Sequence, residues 1–150
     1  MALVLSASAQ KLQRYFYPNM SGCGGALYGL YDGEKLVRIE STYGAEFGYS
    51  KKNIEFVDGL PVKIEYIEHF AQYEKYNEAY PDEEYIDPDK LTYEDKRYLL
   101  TLSNEVTAVK YIDGNIVDYE LSEELKERLL YCARQMKEQL EDQKVLQEKK

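Results

Sequence analysis

Apolar and polar residues alternate along much of the chain, a pattern typical of strands with one buried side and one side facing solvent. Val62, Ile64 and Tyr66, for example, fall on one side of a strand, while Lys63 and Glu65 fall on the other. Such alternation indicates an antiparallel sheet with one wet face. The predicted strands cover residues 26–31, 36–43, 47–57, 60–67, 98–103, 106–112 and 116–121.

Three Asp-Gly pairs punctuate this pattern and predict tight hairpin turns. They are Asp32-Gly33, Asp58-Gly59 and Asp113-Gly114. Both residue types tolerate the positive φ angles that two-residue turns require. The segments that follow the first two pairs resemble each other, so the sequence predicts a repeated hairpin and hence a meander. Residues 10–25 precede it as an ordered but irregular lead-in.

Residues 122–147 predict an amphipathic helix that covers the apolar face of the sheet. Its apolar positions recur at spacings of three and four residues, which places them on one side of a helix. They are Leu125, Leu129, Cys132, Met136 and Leu140. Ser122 is a suitable N-cap, and the glutamates after it lie where the helix dipole favours anions. The predicted fold class is therefore α+β, an antiparallel β-meander packed by a C-terminal α-helix.

A second periodic segment lies between the two parts of the predicted sheet, at residues 68–80. Its aromatic positions are separated by three, three and four residues, which predicts a short helix. They are Phe70, Tyr73, Tyr76 and Tyr80. An extension of the preceding strand is the competing interpretation. An acidic loop is predicted to follow over residues 81–88.

The composition indicates one globular domain. Of 150 residues, 44% are hydrophobic and 31% are charged, a balance that separates the chain from disordered sequences. We expect a single domain over residues 10–147 and a frayed tail at residues 148–150.

The net charge is −9 at pH 7, and it is unevenly distributed. Residues 74–95 contain nine acidic side chains beside Lys75 and Lys90. No basic stripe with interleaved aromatic residues is present, which argues against a nucleic-acid partner. An anionic membrane surface would repel such a chain, and no apolar run is long enough to span a bilayer, so no membrane insertion is expected.

Tyrosine is the other unusual feature: the chain has 16 Tyr, 4 Phe and no Trp. Tyr suits half-buried strands, but also contact surfaces. We predict that the Tyr-rich acidic segment 70–95 binds a basic protein partner, because a field of one sign speeds encounter and Tyr side chains can anchor the complex. The predicted contact residues are Phe70, Tyr73, Tyr76, Tyr80, Glu83, Glu84 and Tyr85. The leading hypothesis is a non-catalytic exported binding or inhibitor-like domain.

Two alternatives remain open at this point. A hydrolase of unrecognised class would use Glu68, His69 or nearby carboxylates. No Cys–His or Ser–His–Asp arrangement stands out from coincidence in the sequence, because the single histidine would have to serve every scheme, so no catalytic residue and no cofactor is predicted. A calcium-stabilised module would use the hard oxygen ligands of the acidic loop, although their spacing matches no EF-hand. The candidate ligands are Asp82, Asp87 and Asp89.

The first residues favour export. An apolar run leads into Ala7-Ser8-Ala9, the small-residue pattern after which signal peptidases cleave. We interpret residues 1–9 as a signal-peptide remnant, which predicts a periplasmic or secreted protein. In such a compartment Cys23 and Cys132 are compatible with one disulfide; two buried thiols are the alternative.

Three stretches carry a resemblance to a group of known proteins. They are Gly22-Cys23-Gly24-Gly25-Ala26-Leu27-Tyr28-Gly29, Lys35-Leu36-Val37-Arg38-Ile39-Glu40 and Ser41-Thr42-Tyr43-Gly44. These residues resemble small exported proteins of the Bacteroidetes that are built on D-G-x-L-V-x-I hairpins. The resemblance extends loosely over residues 20–120 and its motifs are generic. It implies an exported β-rich domain and no particular activity.

Overall fold

A computed structural model describes residues 13–17, 25–102 and 107–148. The predicted signal-peptide remnant at residues 1–9 and Cys23 lie outside these ranges. The described elements are β1 (Gln13–Tyr17), β2 (Gly25–Asp32), β3 (Lys35–Ala45), β4 (Gly48–Val57), β5 (Leu60–Ala71), α1 (Tyr73–Ala79), a 3₁₀ turn (Pro88–Lys90), β6 (Tyr93–Thr101), β7 (Thr107–Ile112), β8 (Asn115–Asp118) and α2 (Glu123–Glu148).

The strands form one sheet in which each strand pairs with its neighbour in sequence. The order is β1-β2-β3-β4-β5-β6-β7-β8, and every pair is antiparallel. The predicted meander and α+β class are therefore confirmed. The prediction of an irregular lead-in was wrong for residues 13–17, which form a strand paired with β2. Their sequence, Gln-Arg-Tyr-Phe-Tyr, carries no clean apolar–polar alternation that would have revealed a strand.

Two of the three Asp-Gly pairs occupy the turns as predicted. Asp58 and Gly59 have φ angles of 51° and 82°, and Asp113 and Gly114 have 48° and 82°, as type I′ turns require. The first pair is offset by one residue. There Asp32 still pairs with Lys35 in the ladder, and only Gly33 of the turn has a positive φ, at 63°.

The same irregularity follows each of these three turns. The third residue after each turn is left without a partner in the ladder, and in all three hairpins it is a valine: Val37, Val62 or Val117. An extra residue of this kind is a β-bulge, which bends the strand and increases its twist. In β3 the bulge also breaks the alternation, since Leu36 and Ile39, three residues apart, are both buried.

Helix α2 lies on one face of the sheet and completes the main core. Its buried apolar side chains are Leu129, Ala133, Met136 and Leu140, which cluster with Leu27, Ile39, Ile54, Ile64 and Leu100 of the sheet. Leu125 and Cys132 of the predicted stripe are half-buried. Ser122 is the N-cap, as predicted: its hydroxyl accepts a hydrogen bond from the Leu125 N–H at 3.2 Å.

Residues 68–80 combine the two competing predictions. Strand β5 continues through Ala71, paired with Tyr93 of β6, and α1 begins only at Tyr73. Phe70 is therefore a strand residue. Pairing on both sides, with β4 and with β6, holds this part of the chain extended in spite of its helical periodicity.

Candidate functional site

The insertion between β5 and β6 is an ordered knob at one end of the sheet. We call residues 72–91 the acidic knob; it contains α1, a loop over residues 80–87 and the 3₁₀ turn. The Gln72 N–H donates to the Thr92 carbonyl at 2.8 Å, which ties its two ends together. A small apolar cluster holds it against the sheet. The cluster consists of buried Ala71, Tyr76 and Leu91, with Phe47 packed against them.

Tyr76 anchors the knob through its ring and its hydroxyl. Its side chain is only 5% exposed, and its hydroxyl donates to the Glu83 carboxylate and accepts from the Asp87 N–H at 2.8 Å. Glu83 is also paired with Lys90. The hydrogen bonds from Lys90 and Tyr76 lower the pKa of the Glu83 carboxyl below its usual value. The loop is thus tied to α1 from within.

The structure divides the predicted contact residues into internal and exposed groups. Tyr76 is buried, Glu83 is engaged inside the knob, and Phe70 is half-buried in β5. None of these three presents its side chain freely to a partner. The exposed members are Tyr73 at 41%, Tyr80 at 37%, Tyr85 at 81% and Glu84. Ile86, which the sequence interpretation missed, is 38% exposed beside Tyr85.

The acidic loop does not assemble the proposed calcium ligands. The Asp87 carboxylate accepts a hydrogen bond from the Asp89 N–H at 3.0 Å and so caps the 3₁₀ turn. Across the described residues, no group of three or more His, Cys, Asp or Glu side chains is arranged to hold a metal ion. Asp82, Asp87 and Asp89 are therefore not brought together as a site.

A second concave surface lies on the face of the sheet that α2 partly covers. We call it the inter-helix groove. Its floor consists of three cross-strand pairs of β5 and β6: Tyr66–Tyr98, Glu68–Lys96 and Phe70–Glu94. The next pair along these strands, Ile64–Leu100, is fully buried in the core with α2. The groove thus begins where the helix stops covering the sheet.

Two helices form the walls of this groove. A cleft of about 360 Å³ lies between the floor and the start of α2, where Glu124 and Arg128 line it. A cleft of about 580 Å³ lies between the floor and the start of α1, lined by Tyr73 and Glu74. Glu68 lines both clefts.

No family model, curated protein or solved structure matches the chain.

The floor carries an aromatic and cationic row across four strands. Lys52, Tyr66, Tyr98 and Lys110 are successive partners on β4 to β7. The two rings stack at 5.7 Å, and the ammonium groups of Lys52 and Lys110 lie 4.7 and 5.6 Å from the nearer ring centroid. Burial and a hydrogen bond to Glu68 raise the pKa of the Tyr66 hydroxyl. The row lies at the edge of the core, beside the Ile64–Leu100 pair. Its ring faces attract cations.

The only histidine lies on the opposite face of the sheet. His69 is stacked between Tyr49 and Tyr93, with ring centroids 5.1 and 4.9 Å away, and its Nδ1 is paired with the Asp95 carboxylate. Adjacent strand residues point to opposite faces, so Glu68 lines the groove while His69 does not. Glu68 and His69 are therefore not brought together, and the carboxylate beside the imidazole is that of Asp95.

The same open face carries one hydrogen-bonded charge network. The Glu65 carboxylate accepts from the Asn53 amide at 3.1 Å and from Arg97 Nε at 2.6 Å, while the Arg97 guanidinium lies over the Tyr111 ring. Burial alone would raise the pKa of Glu65, but the two hydrogen bonds and the positive charges of Arg97 and Lys63 together outweigh it, and the pKa lies below its usual value. The network joins β4, β5, β6 and β7 and is a sheet-stabilising feature.

Cys132 is half-buried on α2 and forms no disulfide with any residue that the structure describes. Its predicted partner, Cys23, is outside the described residues, so the disulfide stays a prediction. No helix in the described part of the chain has the length and apolar character of a membrane span.

Proposed function

We propose that this protein is a non-catalytic, exported binding or inhibitor-like domain that binds a basic protein partner through the acidic knob. The observation that carries the proposal is the combination of exposed apolar side chains and unpaired acids on an internally anchored segment. Tyr85 is 81% exposed, yet the chain beside it is held by the hydrogen bond from the Asp87 N–H to the Tyr76 hydroxyl.

Such anchoring favours binding because it lowers the entropy that an interface loses when it forms. A loop that is ordered before binding does not need to be fixed by the partner. Tyr side chains add large contact area with few rotatable bonds, and they are enriched among residues that dominate binding energy. Tyr80, Tyr85 and Ile86 fit that role.

The charge of the knob identifies the class of partner. Five of its exposed acids form no ion pair within the described residues: Glu74, Glu78, Asp82, Glu84 and Asp89. Of its two lysines, Lys90 is already paired with Glu83. The knob therefore presents a negative field, which steers a positively charged surface toward it and is screened by salt.

The test is capture and affinity measurement with a matched pair of variants. Immobilised protein is expected to retain a basic protein, and raising the salt to about 0.3 M is expected to weaken that complex. Tyr85→Ala is expected to weaken it about tenfold or more, a loss of about 1.4 kcal/mol. Tyr131→Ala is the control, since Tyr131 is 57% exposed on α2, outside the knob. If the affinity for the basic protein were unchanged both by salt and by Tyr85→Ala, the proposal would be contradicted.

The exported location is supported by the Ala7-Ser8-Ala9 pattern. Signal peptidases cleave after such small residues. Mass spectrometry of the protein purified from its native host is expected to show Gln10 as the first residue. A mature chain that retains Met1 in the cytoplasm would remove the exported part of the proposal and leave the binding role standing.

A further inference from the structure

We propose that the inter-helix groove holds an extended basic segment of the partner, laid over β5 and β6 between α1 and α2. This inference rests on the proposed function, because it takes a basic protein as the partner. It adds a second contact surface, the conformation of the bound segment and the side chains that this segment needs.

The shape of the groove fits an extended chain. Its floor is a strip of sheet three cross-strand pairs long, from Tyr66–Tyr98 to Phe70–Glu94. The start of α2 lies at the Tyr66–Tyr98 end of this strip and the start of α1 at the Phe70–Glu94 end. Glu68 lines both clefts, so an extended segment laid along the floor would pass Glu68 and contact both.

The charge of the groove favours a basic occupant. Acidic side chains outnumber basic ones in its lining. The acids are Glu68, Glu74, Glu94, Asp118, Glu120 and Glu124, and the bases are Lys75, Lys96, Lys110 and Arg128. Within the described residues, Lys96 and Glu94, 3.3 Å apart, form the one ion pair between members of this lining. Among these described residues the other five acids form no ion pair with the three remaining bases, although Glu68 is hydrogen-bonded to the Tyr66 hydroxyl and Asp118 to the Glu120 N–H. The lining therefore keeps an excess of two negative charges for a basic segment.

Aromatic groups supply the remaining contacts. Lys52 and Lys110 already place ammonium groups over the Tyr66 and Tyr98 rings, so a cationic side chain of the segment would pair with Glu68 or Glu124 beside the row, which line the same cleft. At the other end of the floor, Phe70 and the 41% exposed Tyr73 border the larger cleft. A Lys or Arg near the first row and an apolar side chain near the second would match the lining.

The groove is also continuous with the acidic knob. Residues at the start of α1 line the groove, and the end of the same helix leads into the loop that carries Tyr80 and Tyr85. A partner that contacts the knob can therefore reach the groove across one short helix. The two surfaces then act as one interface.

The probe is an acetylated and amidated peptide of about ten residues in which Lys and Leu alternate, titrated into isotopically labelled protein and followed by NMR. Amide shifts are expected along residues 66–70 and 94–98 and at the start of both helices. A Glu–Leu peptide of the same length is expected to bind about tenfold or more weakly. Glu68→Gln with Glu124→Gln is expected to weaken Lys–Leu binding about tenfold, whereas Glu127→Gln with Glu138→Gln, on exposed positions of α2 outside the groove, is expected to leave it unchanged.

Several results would overturn this inference. Shifts confined to residues 80–89 would leave the knob as the binding surface and remove the groove, so the proposed function would survive. Equal effects of the two double variants, or no shift at the groove, would also exclude the basic segment. Groove shifts that depend on protein concentration in the absence of peptide would show that a second copy of the chain occupies it instead.

Discussion

Replacing Tyr76 with alanine is expected to unfold the acidic knob while the main core stays folded. The ring of Tyr76 is the central member of the small cluster with Ala71, Leu91 and Phe47, and its hydroxyl holds Glu83 and the Asp87 N–H. Alanine would remove both kinds of contact at once. The main core cluster contains none of these residues, so the loss should stay local.

Native-state hydrogen exchange measures that local opening directly. Protected amides within residues 73–91 are expected to exchange about a hundredfold faster or more in Tyr76→Ala, since loss of a buried aromatic ring costs several kcal/mol in general. Amides of β2 to β4 should keep their protection. Tyr76→Phe retains the ring and is expected to show a much smaller effect. Unchanged protection of the knob in Tyr76→Ala would show that its order does not depend on this residue.

The hairpins were predictable because their signals are local. Asp58-Gly59 and Asp113-Gly114 need only adjacent residues to define a turn, and the Ser122 cap acts within one helical turn. The bulges at Val37, Val62 and Val117 were not predicted, although the third hairpin repeats the Asp-Gly-x-x-Val pattern of the second. A valine at that position does not by itself indicate a bulge, because a bulge is a property of how two strands align.

The role of Tyr76 was not predictable from its neighbours. In sequence it is one of several regularly spaced aromatic residues, and the same spacing fits a contact surface and a buried anchor equally well. Burial is decided by Phe47 and Leu91, which are distant from it in the chain. Tyr85 lies in the same Tyr-rich acidic segment as Tyr76, but no apolar cluster of the described residues packs over its ring and it remains exposed.

The inter-helix groove was missed because it depends on strand register. Tyr66 and Tyr98 meet only when β5 and β6 are aligned, and the helix periodicity of residues 68–80 concealed how far β5 extends. The strand interpretation would have placed Glu68 and His69 on opposite faces and so excluded their joint action in one site. Under the competing helix interpretation, both side chains remained candidates for one hydrolase site.

Leu140→Ala is expected to destabilise the whole domain by about 3 kcal/mol, within the range measured for buried leucines. Leu140 is completely buried between α2 and the sheet. It lies directly over Gly29 of β2, where an added Cβ would come within 2.9 Å of the Leu140 Cδ1 and 3.1 Å of the Tyr31 ring. Gly29 is therefore the position that leaves room for this leucine. Urea unfolding of the purified protein measures the loss.

Combining Leu140→Ala with Gly29→Ala tests whether the two residues pack directly against each other. A general loss of buried apolar area would give no coupling between them. Gly29→Ala alone is expected to destabilise by about 1–3 kcal/mol, because the added methyl group overpacks the contact with Leu140. In the double variant the methyl group enters space that the leucine has vacated. The double variant should therefore be more stable than the sum of the two single losses predicts, by about 1 kcal/mol. Strict additivity would mean that Gly29 and Leu140 do not share one packing site, and the placement of α2 over β2 would then be wrong.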